Sequence, residues 1–532
     1  MGNTYTSNYL KIYFWQGAAF ILRFLSMFIV MPYLTTEPSI YGIYTVCISV
    51  TIFLNYADLS FLRAGQKYAA ECHARGERAA EMKYIGFGTF VLLVFTLLCA
   101  SVLFYLGYHP QSLLKGLDTT EKISTASSLL FILAAFAPVT VLQRMVSMIF
   151  EIRLDGYVNQ RISLCASVIT IGSVFYFFGS GNYRIVPYLF FSQAVNFISV
   201  TVCLWLAKRK YDYDIKQLLR CVRFNSAVYK KANRLAYSGL YVIVVGIVFY
   251  ELDQITIAKF LGVDKAAIYA IAFAFATLFR SIYGIIFSPF VVRANYFAGN
   301  GDDEGLKRFC LQLFSLSTPL VVIPTVAFAV VAKPFIMSWV GANYDDSVDL
   351  ARLFSLIFTL SFISYIGSMI LIVKERIEEM YVIATIQPVI FWLGILSTYS
   401  FWGLMSFASF KLIATIAGEA YYLYILFKYL KVPMKILFKR AFYPLILPLT
   451  FLITVLVIAN GYLPCEKSKL NLLIVLGMTG LSILGAFFIQ YLTSSDLRKV
   501  VKQLIRVSAG EDFISYYKFR ERLIATFSGL LI

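Results

Sequence analysis

Uninterrupted apolar runs of roughly twenty residues recur along the whole chain, and they limit its fold more than any other feature. A run of that length crosses the hydrocarbon core of a bilayer as a helix, which rises ~1.5 Å per residue and satisfies its own backbone groups. Fourteen spans are read at about 9–34, 39–62, 84–107, 124–150, 158–179, 183–207, 235–261, 266–291, 309–332, 349–373, 380–398, 402–430, 442–460 and 470–493. Composition agrees: 60% of the 532 residues are hydrophobic and 14% are charged, against roughly 25% charged in a soluble protein. The expected class is an all-α polytopic membrane protein. The first run lacks a small-residue cleavage site and reads as a retained helix.

The net charge of +18 takes its meaning from this class. Lys and Arg collect in every second loop. The loop after span 2 holds Arg63, Lys67, Arg75, Arg78 and Lys83, the interval 208–234 after span 6 holds nine, and the tail holds seven. The opposite loops hold only Lys115, Lys122, Arg184, Lys265, Lys333, Lys467 and Lys469. That alternation predicts two cytoplasmic termini and an even number of spans. It leaves no compact basic domain for nucleic acid. Two basic segments carry a helical apolar stripe: Ile215, Leu218, Leu219 and Val222 in the interval, and Leu497, Val500, Val501, Leu504 and Ile505 in the tail. Such helices lie on anionic inner-leaflet lipid or cap the bundle.

Eight dispersed cysteines with no CxxC, and only His73 and His109, argue against a disulfide framework or a zinc site. No metal and no cofactor is expected.

A weak repeat appears at an offset of 225 residues. Ile43-Tyr44 recurs as Ile268-Tyr269, Gly76-Glu77 as Gly301-Asp302, and Lys83-Tyr84 as Arg308-Phe309. Six spans separate the copies, so both have the same orientation, a parallel repeat. The expected organisation is an N-lobe over 1–207, a basic linker over 208–234, a C-lobe over 235–432, two further spans over 433–494 and a basic tail over 495–532.

Ionisable residues at membrane depth are costly and are functional candidates. Arg23 in span 1, Arg144 in span 4 and Arg280 in span 8 are candidates for an anion, because guanidinium binds phosphate bidentately at any pH. Glu251 and Asp253 in span 7 and Asp58 in span 2 are candidates for coupling to a proton or cation. Span 12 carries Lys411 and Glu419. Two arrangements stay open: a cationic cavity between the lobes, or internal ion pairing, for instance of Arg280 with Glu251.

The hairpin MPYLTTEPSIYGIYTVCISVTIFLNYADLSFLRAGQKYAAE resembles the N-terminal signature of bacterial polysaccharide flippases. These are the O-antigen and exopolysaccharide translocases of the multidrug/oligosaccharidyl-lipid/polysaccharide exporter superfamily. The resemblance rests on Tyr41-Gly42-Ile43-Tyr44, Asp58-Leu59 and Lys67 to Glu71, then on Asp253-Gln254-Ile255-Thr256-Ile257, Phe260-Leu261-Gly262, and Trp339-Val340-Gly341 to Tyr344. It covers roughly residues 10–430. Ser60 stands where the family pattern has Gly. The resemblance implies two lobes in a V and alternating access in a bacterial inner membrane. It implies as cargo an undecaprenyl-diphosphate-linked oligosaccharide moved to the outer leaflet for surface polysaccharide. It implies a monomer working beside glycosyltransferases and a polymerase. By analogy with the related lipid II flippases, Arg23 and Arg280 would line the cavity and spans 13–14 would hold the lipid tail. A multidrug or cation antiporter of the same superfamily would need an acid-lined cavity instead. A polytopic glycosyltransferase or polymerase would need a large outer loop with catalytic acids or histidine. The outer turn at 35–38 is only TTEP, and Tyr344-Asp345-Asp346 reads as a solvated turn rather than a metal site.

Overall fold

The computed structural model describes residues 2–56, 61–431, 433–495 and 497–499, and these contain helices and no strand. Among the described residues, twelve helical segments are long and apolar enough to cross a membrane. The other two expected spans take different forms. The second is the shorter α2 (Pro38–Tyr56), after α1 (Gly2–Leu34). The seventh is broken into α9 (Ser226–Tyr250) and α10 (Leu252–Phe260). The basic segment after span 2 is not a loop. It forms α3 (Phe61–Ala74), which buries Phe61, Leu62, Ala64, Gly65, Ala69 and Cys72 and exposes Arg63 and Lys67. Asp58 and the tail stripe from Val500 onward lie outside the described residues.

The remaining elements are α4 (Arg78–Tyr108), α5 (Thr120–Ile152), α6 (Gly156–Phe178), α7 (Ile185–Tyr211), α8 (Ile215–Cys221), α11 (Val263–Gly299), α12 (Asp303–Trp339), α13 (Ser347–Thr359), α14 (Phe362–Val373), α15 (Ile377–Trp402), α16 (Leu404–Leu430), α17 (Met434–Leu437), α18 (Ile446–Asn460) and α19 (Lys469–Thr493). A π-helical turn, Phe438–Phe442, links α17 toward α18. The chain forms two compact bodies. The first is Met1–Leu278 with Trp339–Leu350 and Tyr381–Ala414, and the second is Phe279–Ser338 with Ala351–Met380 and Thr415–Ile532.

At the basic end of the first body, buried charges tie the helix ends together. Glu81 is 1% exposed and accepts from the Arg153 guanidinium at 2.7 Å and the Tyr213 hydroxyl at 3.2 Å. Asp155 accepts from Lys210 at 2.7 Å and from the Tyr211 hydroxyl at 2.5 Å. Arg78 donates to the carbonyls of Tyr211 and Asp212 at 2.5 and 2.6 Å. The start of the basic interval is therefore docked on α4 and α5. Asp214 caps α8 by accepting from the Gln217 N–H at 3.0 Å. Leu218 is buried, and a Cβ on Gly86 would come within 2.4 Å of the Cys221 carbonyl, so α8 lies directly on α4. Only part of the apolar stripe is spent this way: Leu219 remains exposed, and Val222 lies beyond the last helical turn.

At the other end of the first body, the Tyr183 and Tyr344 hydroxyls donate to the carbonyls of Leu34 and Thr35 at 2.6 and 3.2 Å. Trp339 is buried against Phe28 and Phe275. Here positions separated by the repeat offset meet one another. The Ser39 hydroxyl donates to the Asp264 carboxylate at 2.5 Å across a separation of 225 residues. A Cβ on Gly42 would lie 3.4 Å from that of Ala267, and 2.0 Å from the Val263 carbonyl. Contacts between equivalent positions are what residues near a pseudo-two-fold axis make.

In the second body α12 is 37 residues long and carries Pro319, Pro324 and Pro334. Lys374 pairs with Asp303 at 2.6 Å, and Lys428 with Glu379 at 2.5 Å. The α18–α19 hairpin packs at Gly485, where a Cβ would come 2.9 Å from the Phe451 ring, and Thr493 donates to the Pro444 carbonyl at 3.0 Å.

Candidate functional site: ionisable residues at membrane depth

The sequence Glu251-Leu252-Asp253 interrupts an otherwise apolar span, and the helix breaks there. Glu251 caps α9 with φ −120° and ψ −21°, and is buried at 8% exposed. Asp253 falls in the first turn of α10, the end of a helix that favours a carboxylate.

Asp253 is 1% exposed and fully engaged. One carboxylate oxygen accepts from the Gln254 N–H at 2.9 Å. The other accepts from the Tyr269 hydroxyl of α11 and from the Lys411 ammonium of α16. Gln254 is itself fixed, donating to the Ala266 carbonyl at 2.9 Å and to Thr45 Oγ1 at 3.2 Å. Lys411 is 2% exposed. Its ammonium lies 4.8 Å from the ring centroid of Phe273, 5.1 Å from Phe391, 5.7 Å from Phe249 and 5.9 Å from Tyr250. Every one of these residues belongs to the first body. A buried charge has to be paired and hydrogen-bonded to persist, and this pair meets that condition.

Lys411 and Tyr269 are the residues for which sequence reasoning found no role. A signal was available for Lys411. It lies about nine residues inside the start of span 12, and Asp253 about eight from the end of span 7, so both sit roughly 12 Å from the same face.

The arginines lie elsewhere. Arg23 is exposed on α1, eleven residues from its end at Leu34, or roughly 17 Å along the axis. Among the described residues its guanidinium has no ion-pair or hydrogen-bond partner, and only its carbonyl is used, by Ser26 at 2.7 Å. Arg144 is exposed on α5, six residues beyond Pro138. Arg280 belongs to the second body, is half-buried on α11, and its carbonyl accepts from Tyr365 at 3.2 Å. Glu419, also in the second body, is buried on α16 with one carboxyl oxygen unpaired. No cluster of three metal-ligating side chains occurs among the described residues.

No protein-family model matches the chain. A curated relative, the uncharacterised membrane protein EpsK of Bacillus subtilis (strain 168), is 27% identical over 104 residues. That match takes in 20% of this chain and 21% of EpsK. Among solved structures, the lipid II flippase MurJ in an inward closed conformation superposes with a TM-score of 0.69 at 14% identity, over 91% of this chain and 99% of that one. An inward-facing multidrug resistance MATE family transporter of the MOP superfamily gives a TM-score of 0.55 at 14% identity, over 77% of this chain and 95% of that one. Both neighbours are membrane transport proteins rather than enzymes. This chain is a multi-pass membrane protein with the fold that MurJ and the MATE transporter share.

Proposed function

We propose that the protein moves a polyprenyl-diphosphate-linked oligosaccharide from the inner to the outer leaflet of a bacterial cytoplasmic membrane, for surface polysaccharide synthesis. Arg23 carries this reading. A guanidinium at membrane depth, exposed and without a protein partner among the described residues, is suited to bind phosphate oxygens bidentately. Arg144 of the same body is its proposed companion on the cargo's anionic head, and Arg280 of α11 is proposed separately as a contact for the cargo. The head crosses while the polyprenyl tail stays in lipid, as the protein alternates between two states that each bind it. Both termini are cytoplasmic, anionic inner-leaflet lipid holds the basic face, and glycosyltransferases and a polymerase act before and after. The likeness of fold to MurJ supports the reading at the level of architecture. Against a drug-cation antiporter stands the state of Asp253, whose carboxylate is taken by Lys411.

Arg23→Ala and Arg280→Ala should each lower surface polysaccharide at equal membrane abundance. Losing a charge-assisted contact worth about 1.5–3 kcal/mol corresponds to roughly 10- to 100-fold. Arg23→Lys should retain part of the output. Normal polysaccharide from both alanine variants would sink the assignment.

A further inference from the structure

The cluster around Lys411 carries an inference that does not depend on what the protein transports. Desolvating two charges costs about what their attraction returns, and well-packed apolar residues serve a core as well or better. Packing therefore does not account for a lysine and an aspartate here. The surroundings are those of a cation receptor. Four aromatic rings stand within 6 Å of the ammonium, and the Asp253 carboxylate contacts it directly. Rings and carboxylate together are the chemistry by which proteins hold ammonium groups. The carboxylate is also held without its lysine, by the Gln254 N–H on one oxygen and the Tyr269 hydroxyl on the other. Its holders come from α10 and α11, whereas Lys411 enters from α16.

The geometry points to a monovalent-cation site, fitted to ammonium-type ions, that the chain fills with its own side chain. Lys411 is a tethered ligand. The receptor is Asp253 with Tyr269 and the rings of Phe249, Phe273 and Phe391. In this arrangement the site needs no ion from solution. Removing the tether leaves a caged carboxylate that a free cation of the same class should occupy.

The test uses the full-length protein in detergent, with thermal unfolding followed in propylammonium, sodium or choline chloride at equal ionic strength; choline is the reference because its quaternary nitrogen has no N–H to donate to Asp253 and its three methyl groups exceed the space that the Lys411 stem leaves. Propylammonium is the fragment that Lys411→Ala removes. The wild-type midpoint should be the same in all three salts. The midpoint of Lys411→Ala should be lowered in choline and raised by propylammonium in a saturable way, by about 2–4 °C at roughly 100- to 1,000-fold over its Kd. The double variant Asp253→Asn with Lys411→Ala should show no such rise. Should Lys411→Ala fail to accumulate, Lys411→Gln, which keeps a hydrogen-bond donor for Asp253, is read with methylammonium and sodium against choline. A flat response of the single variant, or an equal rise in the double variant, overturns the proposal. Transport is not measured, so failure here is distinct from failure of the flippase reading.

Discussion

Asp253 gathers three donors on two oxygens, and each donor comes from a different part of the fold. Replacing it alone strands a buried ammonium among rings. Asp253→Asn should therefore cost about 3–5 kcal/mol, the usual penalty for breaking a buried pair from one side. Asp253→Asn combined with Lys411→Met should recover most of that loss. A double-mutant cycle by denaturant unfolding checks both, and additive losses would mean that the two side chains are not coupled. The sequence made these residues visible only singly. Lys411 and Asp253 stand out because each is a charge in an apolar span, but 158 residues separate them and nothing in hydropathy names a partner. Arg23 was legible on its own, because an exposed cation at membrane depth has no second residue to be found.

Among the elements, the long spans were legible because length and hydropathy alone define them. The break between α9 and α10 was not. Apolar residues continue on both sides of Glu251, so the two acids read as charges inside one span rather than as its break. The helical character of α3 was masked by the basic residues in it and just after it, Arg63, Lys67, Arg75, Arg78 and Lys83, although its buried residues already recur at helical spacing. The seat of α8 was also hidden, because it depends on a glycine whose role is to be absent. A Cβ on Gly86 would meet the Cys221 carbonyl at 2.4 Å and its carbonyl carbon at 2.6 Å. Gly86→Ala should lift α8 from α4 at a cost of about 1–3 kcal/mol, as overpacking does. With the other cysteines replaced, maleimide should then label Cys221 severalfold faster than in the Gly86 parent. An unchanged rate would show that α8 accommodates the methyl group in place.

For the whole molecule, the alternation of basic and sparse loops remains the strongest statement the sequence makes, and it predicts an orientation that can be checked. Reporter domains fused after residue 116 and after residue 212 should report opposite sides of the membrane, the second cytoplasmic. Fusions reporting the same side would break the span count between them. The internal repeat was legible only as scattered dipeptides, because few positions keep their identity over 225 residues. The meeting of Ser39 with Asp264 and of Gly42 with Ala267 adds contacts between positions one repeat offset apart, which the sequence alone could not show.

The interval that joins the two copies is anchored on both sides of a very short gap. α8 ends at Cys221, seated on Gly86, and α9 begins at Ser226 with Asn225 as its cap. Between them Phe224 rests against Phe87 and Phe90, and in the first turn of α9 Tyr229 stacks on Phe61. The peptide bonds of residues 222–225 are therefore bridging two ends that are already held to the same surface. Scission there would release little local freedom, because both new ends stay packed on α3 and α4. The covalent join at 222–225 therefore adds little to what packing already holds in place there.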